Sequence, residues 1–180
     1  LSKSPITGII SLTGSVSAGQ KVISAAAENI TKVSLELGGK APAIVCADAN
    51  LDLALNSIVA SKVIFSGQVC NCAERVYVED SIYDEFVDKL TKKMSEVSID
   101  DALTGTNADM SSLVSKSQID KISEMVEFAK KEGAEVLVGG KRPERFDRGY
   151  FYEPTVLTNC RQDSQIIQEE VFGPVLPVMN

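Results

Sequence analysis

Apolar and polar positions along this 180-residue chain recur with two periods, and each switch between them marks an element. Residues 7–12 (Thr-Gly-Ile-Ile-Ser-Leu) form a short apolar run that predicts a buried strand, closed by a turn at Thr13-Gly14-Ser15. Val16 to Glu28 predicts a helix with Val22, Ile23, Ala26 and Ala27 on one side. Val33 to Leu37 alternates like a strand and is broken by Gly38-Gly39; Pro42 to Cys46 predicts another strand. Leu51, Leu55, Ile58, Val59 and Val63 keep helical spacing to about Phe65, where Ser66-Gly67 ends the helix. Arg75 to Val78 predicts a strand, and Ser81 to about Val97 a helix with Ile82, Phe86, Leu90 and Met94 on one face. After a polar, loop-like stretch from Asp100 to Ser112, Ser115 to Lys131 is amphipathic and helical, ending at Gly133. Ala134 to Val138 predicts a strand, Arg142 to Arg148 a charged surface loop, and Tyr150 to Leu157 an extended segment that Pro154 keeps out of a helix. Phe172-Gly173-Pro174 turns into a last apolar strand. Strands alternating with helices predict an α/β fold, a mostly parallel sheet with flanking helices, whose ligands gather beyond the carboxyl ends of the strands.

Composition narrows the function. A chain 44% hydrophobic and 24% charged suits a soluble globular fold with one sizeable core. Eighteen basic against 25 acidic residues, a net charge of −7, argues against nucleic acid or anionic membrane as a partner. No apolar run reaches the roughly 20 residues that span a bilayer. The absence of histidine excludes Ser-His-Asp and Cys-His catalysis and every His-ligated metal site. Cys46, Cys70, Cys72 and Cys160 are too sparse for a disulfide scaffold and point to a reducing, cytoplasmic setting. The chain starts at Leu1 without an initiator Met and ends in an apolar run, so both ends read as cut.

Four places hold residues with chemical potential. Cys70 lies in Phe65-Ser66-Gly67-Gln68-Val69-Cys70-Asn71-Cys72-Ala73, between a helix and a strand. A thiol there reads either as a nucleophile held on a loop or as a small buried hydrophobe. Cys70-x-Cys72 lacks a second paired motif and is not read as a metal site. Glu36 shares a strand face with Ser34 at a strand end, as a carboxylate open to a crevice or as a solvated edge charge. Thr13-Gly14-Ser15-Val16-Ser17-Ala18-Gly19 opens a helix and reads as a phosphate-accepting turn or as ordinary capping. Glu169-Glu170-Val171-Phe172-Gly173-Pro174 combines a carboxylate pair, an aromatic and a tight turn, while Gln118 and Lys121 share one helix face.

Together these strings resemble the aldehyde dehydrogenase superfamily. Glu36-Leu37-Gly38-Gly39-Lys40 is similar to its glutamate signature, and Gly67-Gln68-Val69-Cys70 with Ala73 and Arg75 to its cysteine signature, 34 positions on. Glu169 to Val175 resembles a third hallmark, and Thr13 to Gly19 the cofactor turn; the longer strings look most like the lactaldehyde/glycolaldehyde branch. Met110-Ser111-Ser112-Leu113 departs from the family's Met-Gly-Pro-Leu, which predicts a less rigid turn.

The resemblance implies an enzyme that oxidises a small aldehyde with NAD or NADP through a cysteine thiohemiacetal and thioester. Cys70 would be the nucleophile and Glu36 the base that activates water. Ser15 and Gly14 would approach the cofactor pyrophosphate, with Gly38 also at the cofactor. Glu170 would bind the nicotinamide ribose, Phe172 would pack beside the nicotinamide, and Gln118 and Lys121 would lie near the adenosine end. Asn71 and Cys72 are read as neighbours that shape the pocket. Residues 1–37 would be the C-terminal piece of a dinucleotide-binding domain and 38–180 most of the catalytic domain, within a longer, homo-oligomeric parent. The family's oxyanion-hole asparagine would lie upstream of Leu1, so activity is expected of the parent. Two rival readings remain: a folded piece that turns nothing over, and a cofactor-independent thiol esterase.

Overall fold

A computed structural model of the chain describes residues 1–104 and 107–180, which divide into two units, Leu1–Gly39 and Lys40–Asn180. In the first, strands β1 (Ile9–Gly14) and β2 (Lys32–Leu37) pair in parallel, with Thr13 opposite Glu36 and Gly14 opposite Leu37. Helix α1 (Val16–Ala26) makes the crossover that a parallel pair needs. Pairing carries β1 through Gly14, so the expected three-residue turn shrinks to Ser15. The α1 geometry stops at Ala26, short of Glu28; Ala27–Asn29 tighten into a 3-10 turn, and Ile30 takes a left-handed φ of 55°. Helix and strand pack closely: a Cβ on Gly19 would sit 2.9 Å from the Leu37 methyls.

The second unit is built on one five-stranded sheet, in which β3 (Pro42–Val45), β4 (Arg75–Val78), β5 (Glu135–Val138), β6 (Thr155–Thr158) and β7 (Val175–Met179) lie in the order β3-β4-β7-β6-β5. Every neighbouring pair is parallel except β5–β6, which is antiparallel, so the sheet is mostly parallel as expected, with one antiparallel strand at its edge. Alternation along β6 and β7 divides the core between two faces. Val156 and Leu176 join Leu55 and Ile58 of α2 (Leu51–Val63) and Phe86 and Leu90 of α3 (Tyr83–Ser95). Leu157 and Val175 join Ile119, Ile122 and Val126 of α4 (Lys116–Lys131) and Ile166 of α5 (Gln165–Gln168). With helices on both faces, β6 is buried along its whole length. The fold is the α/β class that the alternation of elements predicted.

Local differences have local causes. Helix α2 ends at Val63, two residues early, because Phe65 and Ser66 take left-handed φ of 47° and 58°. The extended segment 150–157 pairs as a strand from Thr155 to Thr158. The charged loop at 142–148 also anchors a ring: Phe146 stacks on Phe151 with centroids 4.0 Å apart. Of the polar stretch 100–112, residues 105 and 106 lie outside the described residues, while Ile99 and Met110 form a bridge. Serines tie down the turn at Ser111-Ser112, which was expected to be less rigid. Ser66 Oγ donates to the Ser111 carbonyl at 2.7 Å, and Ser112 Oγ accepts from Tyr150 N–H at 3.0 Å. Among the described residues no helix is long and apolar enough to cross a membrane.

Candidate active site

In the first unit the parallel pairing sets the cofactor-type turn and Glu36 at the same end of two adjacent strands, since Thr13 and Glu36 are in register. Ser15 caps α1, its Oγ accepting from Ala18 N–H at 3.2 Å. The first turn of α1 carries no acidic residue, so its unpaired amides face no competing carboxylate. This donor set fits a pyrophosphate. Glu36 is exposed, as is Ser34 on the same strand face, whereas Leu35 and Leu37 are half-buried. Gly14 ends β1, and Gly38 follows β2 directly.

In the second unit the chain leaves α2 through three consecutive left-handed residues, Phe65, Ser66 and Gly67 (φ 75°). Only glycine suits position 67, because a Cβ there would meet the Gly173 carbonyl oxygen at 2.2 Å. Gln68 then locks the loop: its Nε2 donates to the Phe65 carbonyl at 2.9 Å and its Oε1 accepts from Val114 N–H at 3.0 Å. The two thiols of the loop have opposite environments. Cys70 is exposed, and Cys72 is 1% exposed. Burial raises the Cys72 thiol above its ordinary pKa, against the pull of the Lys62 ammonium 3.4 Å from its sulfur.

Beneath the loop lies a cluster of charge that the sequence reading missed. Lys62 and Glu74 are both fully buried, joined Nζ to Oε1 at 2.9 Å; Lys40 reaches Oε2 of the same carboxylate at 3.1 Å. Burial pushes the Glu74 carboxyl up, but the two ammonium groups and its hydrogen bonds outweigh that and hold it below the usual carboxylate range. Burial lowers Lys40 from its ordinary value. One signal was readable: Lys62 stands four residues after Ile58 and seven after Leu55, at a core position of α2.

The same cluster reaches the turn at Glu170–Gly173. Glu74 Oε2 accepts from Val171 N–H at 2.9 Å, and Lys62 Nζ donates to the Gly173 carbonyl at 3.2 Å. From α4, Gln118 Nε2 donates to the Val171 and Phe172 carbonyls at 3.0 and 2.7 Å, and Lys121 Nζ to the Glu170 carbonyl at 2.7 Å. Gln118 and Lys121 thus spend their polar ends on the backbone of the turn that carries Glu170 and Phe172. Phe172 is held at a left-handed φ of 56°.

Strain at Phe65 makes a stability prediction. Phe65 is 73% exposed and left-handed, a conformation asparagine adopts far more readily than phenylalanine. Phe65→Asn should stabilise the chain by about 0.5–1 kcal/mol, raising Tm by about 1–4 °C in a thermal melt. An unchanged or lower Tm would show that the turn carries no such strain.

Known proteins fit this arrangement along its whole length. A family model, Aldehyde dehydrogenase family, matches residues 1–180. Lactaldehyde dehydrogenase of Escherichia coli strain K12 is 50% identical over 99% of this chain and 37% of its own length, and its crystal structure superposes with a TM-score of 0.96. D-glyceraldehyde dehydrogenase (NADP(+)) of Picrophilus torridus is 43% identical over 93% of this chain and 34% of its own length. A crystal structure of betaine aldehyde dehydrogenase from Staphylococcus aureus in complex with NAD+ is 39% identical, with a TM-score of 0.93 over 98% of this chain and 35% of that one. The chain thus spans little more than a third of the length of these relatives. With its sequence matched from end to end and its fold shared with these enzymes, the chain belongs to the aldehyde dehydrogenase family.

Proposed function

We propose that this chain carries the nucleophile, the water-activating base and part of the cofactor cradle of an NAD(P)-dependent aldehyde dehydrogenase acting on a small aldehyde. The observation that carries the proposal is the contrast between two thiols of one loop. Cys70 is open to a substrate, while Cys72 is buried against Lys62. In this reading the Cys70 thiolate attacks the aldehyde carbon, forming a thiohemiacetal. A bound NAD or NADP supplies the hydride acceptor for the oxidation. Glu36 then takes a proton from the water that attacks the resulting thioester, the acid leaves, and the Cys70 thiolate returns. Ser15 and Gly14 receive the pyrophosphate at the α1 N-terminus, with Gly38 near the cofactor. Glu170 binds the nicotinamide ribose and Phe172 packs beside the ring. Gln118 and Lys121 serve the adenosine end and brace the turn.

On this reading residues 1–37 complete a dinucleotide-binding domain and 38–180 form most of the catalytic domain. Free cysteines support a reducing, cytoplasmic setting. Ile44 and Leu53, 73% and 64% exposed, support burial of apolar surface in a homo-oligomeric parent.

The test is an acid quench during turnover of lactaldehyde with NAD or NADP, followed by peptide mass spectrometry. An acyl adduct is expected on the Cys70 peptide and not on Cys46, a thiol that is also exposed. Binding of aldehyde and cofactor without a thioester on Cys70 would overturn the proposal. Ester cleavage indifferent to NAD would favour the thiol esterase instead.

A further inference from the structure

We infer that Glu74, with Lys62, is a positioning residue that joins the nucleophile loop and the Glu170–Gly173 turn into one rigid unit. The inference rests on the reading of Cys70 as nucleophile and of Glu170 and Phe172 as cofactor contacts. Glu74 lies four residues after Cys70 and just before β4, and its carboxylate receives Val171 N–H from a segment 97 residues away. Lys62, on the last turn of α2, reaches the Gly173 carbonyl across 111 residues. The ammonium of Lys62 also lies 3.4 Å from Cys72 Sγ, so the same pair grips the nucleophile loop from inside. Close backbone contact between Gly67 and Gly173 leaves the two segments no room to slide independently.

A buried ion pair is an expensive way to gain stability alone, because desolvation offsets most of the attraction. Here each partner spends a hydrogen bond on the backbone of a turn that carries a left-handed Phe172. Such a turn keeps its geometry only where its surroundings impose it. Glu74 and Lys62 therefore fix where the Phe172 ring and the Glu170 carboxylate stand relative to the Cys70 loop. Both side chains are fully buried.

The experiment compares the wild-type polypeptide carrying this chain with K62M/E74L, which removes the two fully buried charges together, fills the space with apolar atoms and leaves Lys40, 8% exposed, without its carboxylate partner. Amide hydrogen exchange at Val171, Tm, and the kcat and cofactor KM of aldehyde oxidation are measured on each. In the folded variant, below its own Tm, Val171 exchange should accelerate about tenfold, the scale of one lost buried hydrogen bond. Cofactor KM should rise by a similar factor, with aldehyde KM unchanged. K62R, which keeps the pair, should restore both to the wild-type values. Unchanged Val171 exchange and cofactor KM in folded K62M/E74L would overturn the inference. Should that variant not fold, K62M/E74Q keeps an acceptor for Val171; loss of its Val171 protection would equally overturn the role of Glu74. A wild type without aldehyde turnover would refute the functional reading alone, and Val171 exchange would then decide the positioning role.

Discussion

Cys70→Ala should leave Tm unchanged and reduce aldehyde-dependent NAD(P) reduction by about a thousandfold or more. The two halves of that expectation come from different physics. Cys70 is exposed, and its removal opens no cavity and strands no buried group, so surface-scale effects within about 0.5 kcal/mol apply to stability. On the proposed reading, loss of Cys70 removes the covalent route altogether, and no neighbouring thiol can substitute. Cys72 is buried with its acidity suppressed, and burial pushes Cys160 up to about 11. Nucleophile deletions in enzymes of covalent mechanism cost about this much or more. Residual turnover above a hundredth of wild type would mean that another group attacks the carbonyl. Paired melting curves and initial rates on the same preparations decide the matter.

Glu74→Leu alone should be the most damaging single change to the fold, costing about 3–5 kcal/mol against a typical total of about 5–15. It strands the fully buried Lys62 without its counter-charge, a loss that K62M/E74L avoids, while both variants leave Lys40 and Val171 N–H without the Glu74 carboxylate. The urea midpoint of the single variant should therefore fall below that of K62M/E74L, by the cost of an unpaired buried Lys62. A small shift would mean that water reaches the lysines. The pH dependence follows with a definite sign. Because the folded carboxyl titrates below its ordinary value of 4.5, the unfolded chain takes up the proton first as pH falls. The Glu74 contribution is fully present above that value and is lost as pH drops through the depressed folded pKa. Urea midpoints measured from pH 6 downward should decline more steeply for wild type than for K62M/E74L. Asp109, also held low by its hydrogen bonds from Ser98, is common to both and cancels in the comparison.

Much of the architecture was legible because it is written locally. The apolar stripe of α3, with Phe86, Leu90 and Met94 inside, follows from spacing alone. What depends on distant pairing was not legible. Glu135–Val138 has the composition of any short strand, and only its partner Thr158 makes it antiparallel. Nor does Phe65 announce a left-handed turn, since that conformation is imposed by the surrounding contacts. The site divides in the same way. Cys70 and Glu36 stood out from their places at loops and strand ends and from their signatures. Lys62 and Glu74 read as two more charges among many, because the groups that explain them, Val171 N–H and the Gly173 carbonyl, come from the far end of the chain. Gln118 and Lys121 were noticed as a pair, but their bracing of the turn needed the fold.

The burial of Cys72 also bears on how the chain survives oxidants. A thiol oxidised to a sulfenic acid is commonly rescued by a nearby cysteine that condenses with it, before further oxidation becomes irreversible. Cys72, two residues from Cys70, is enclosed against Lys62 and Glu74 and kept as a protonated thiol, which makes it a poor resolving partner. Peroxide damage at Cys70 must then be reversed from outside, by small thiols in the surroundings. On the proposed reading of Cys70 as nucleophile, purification and storage without reductant should draw down the active fraction of the parent enzyme, with no change in fold to give warning.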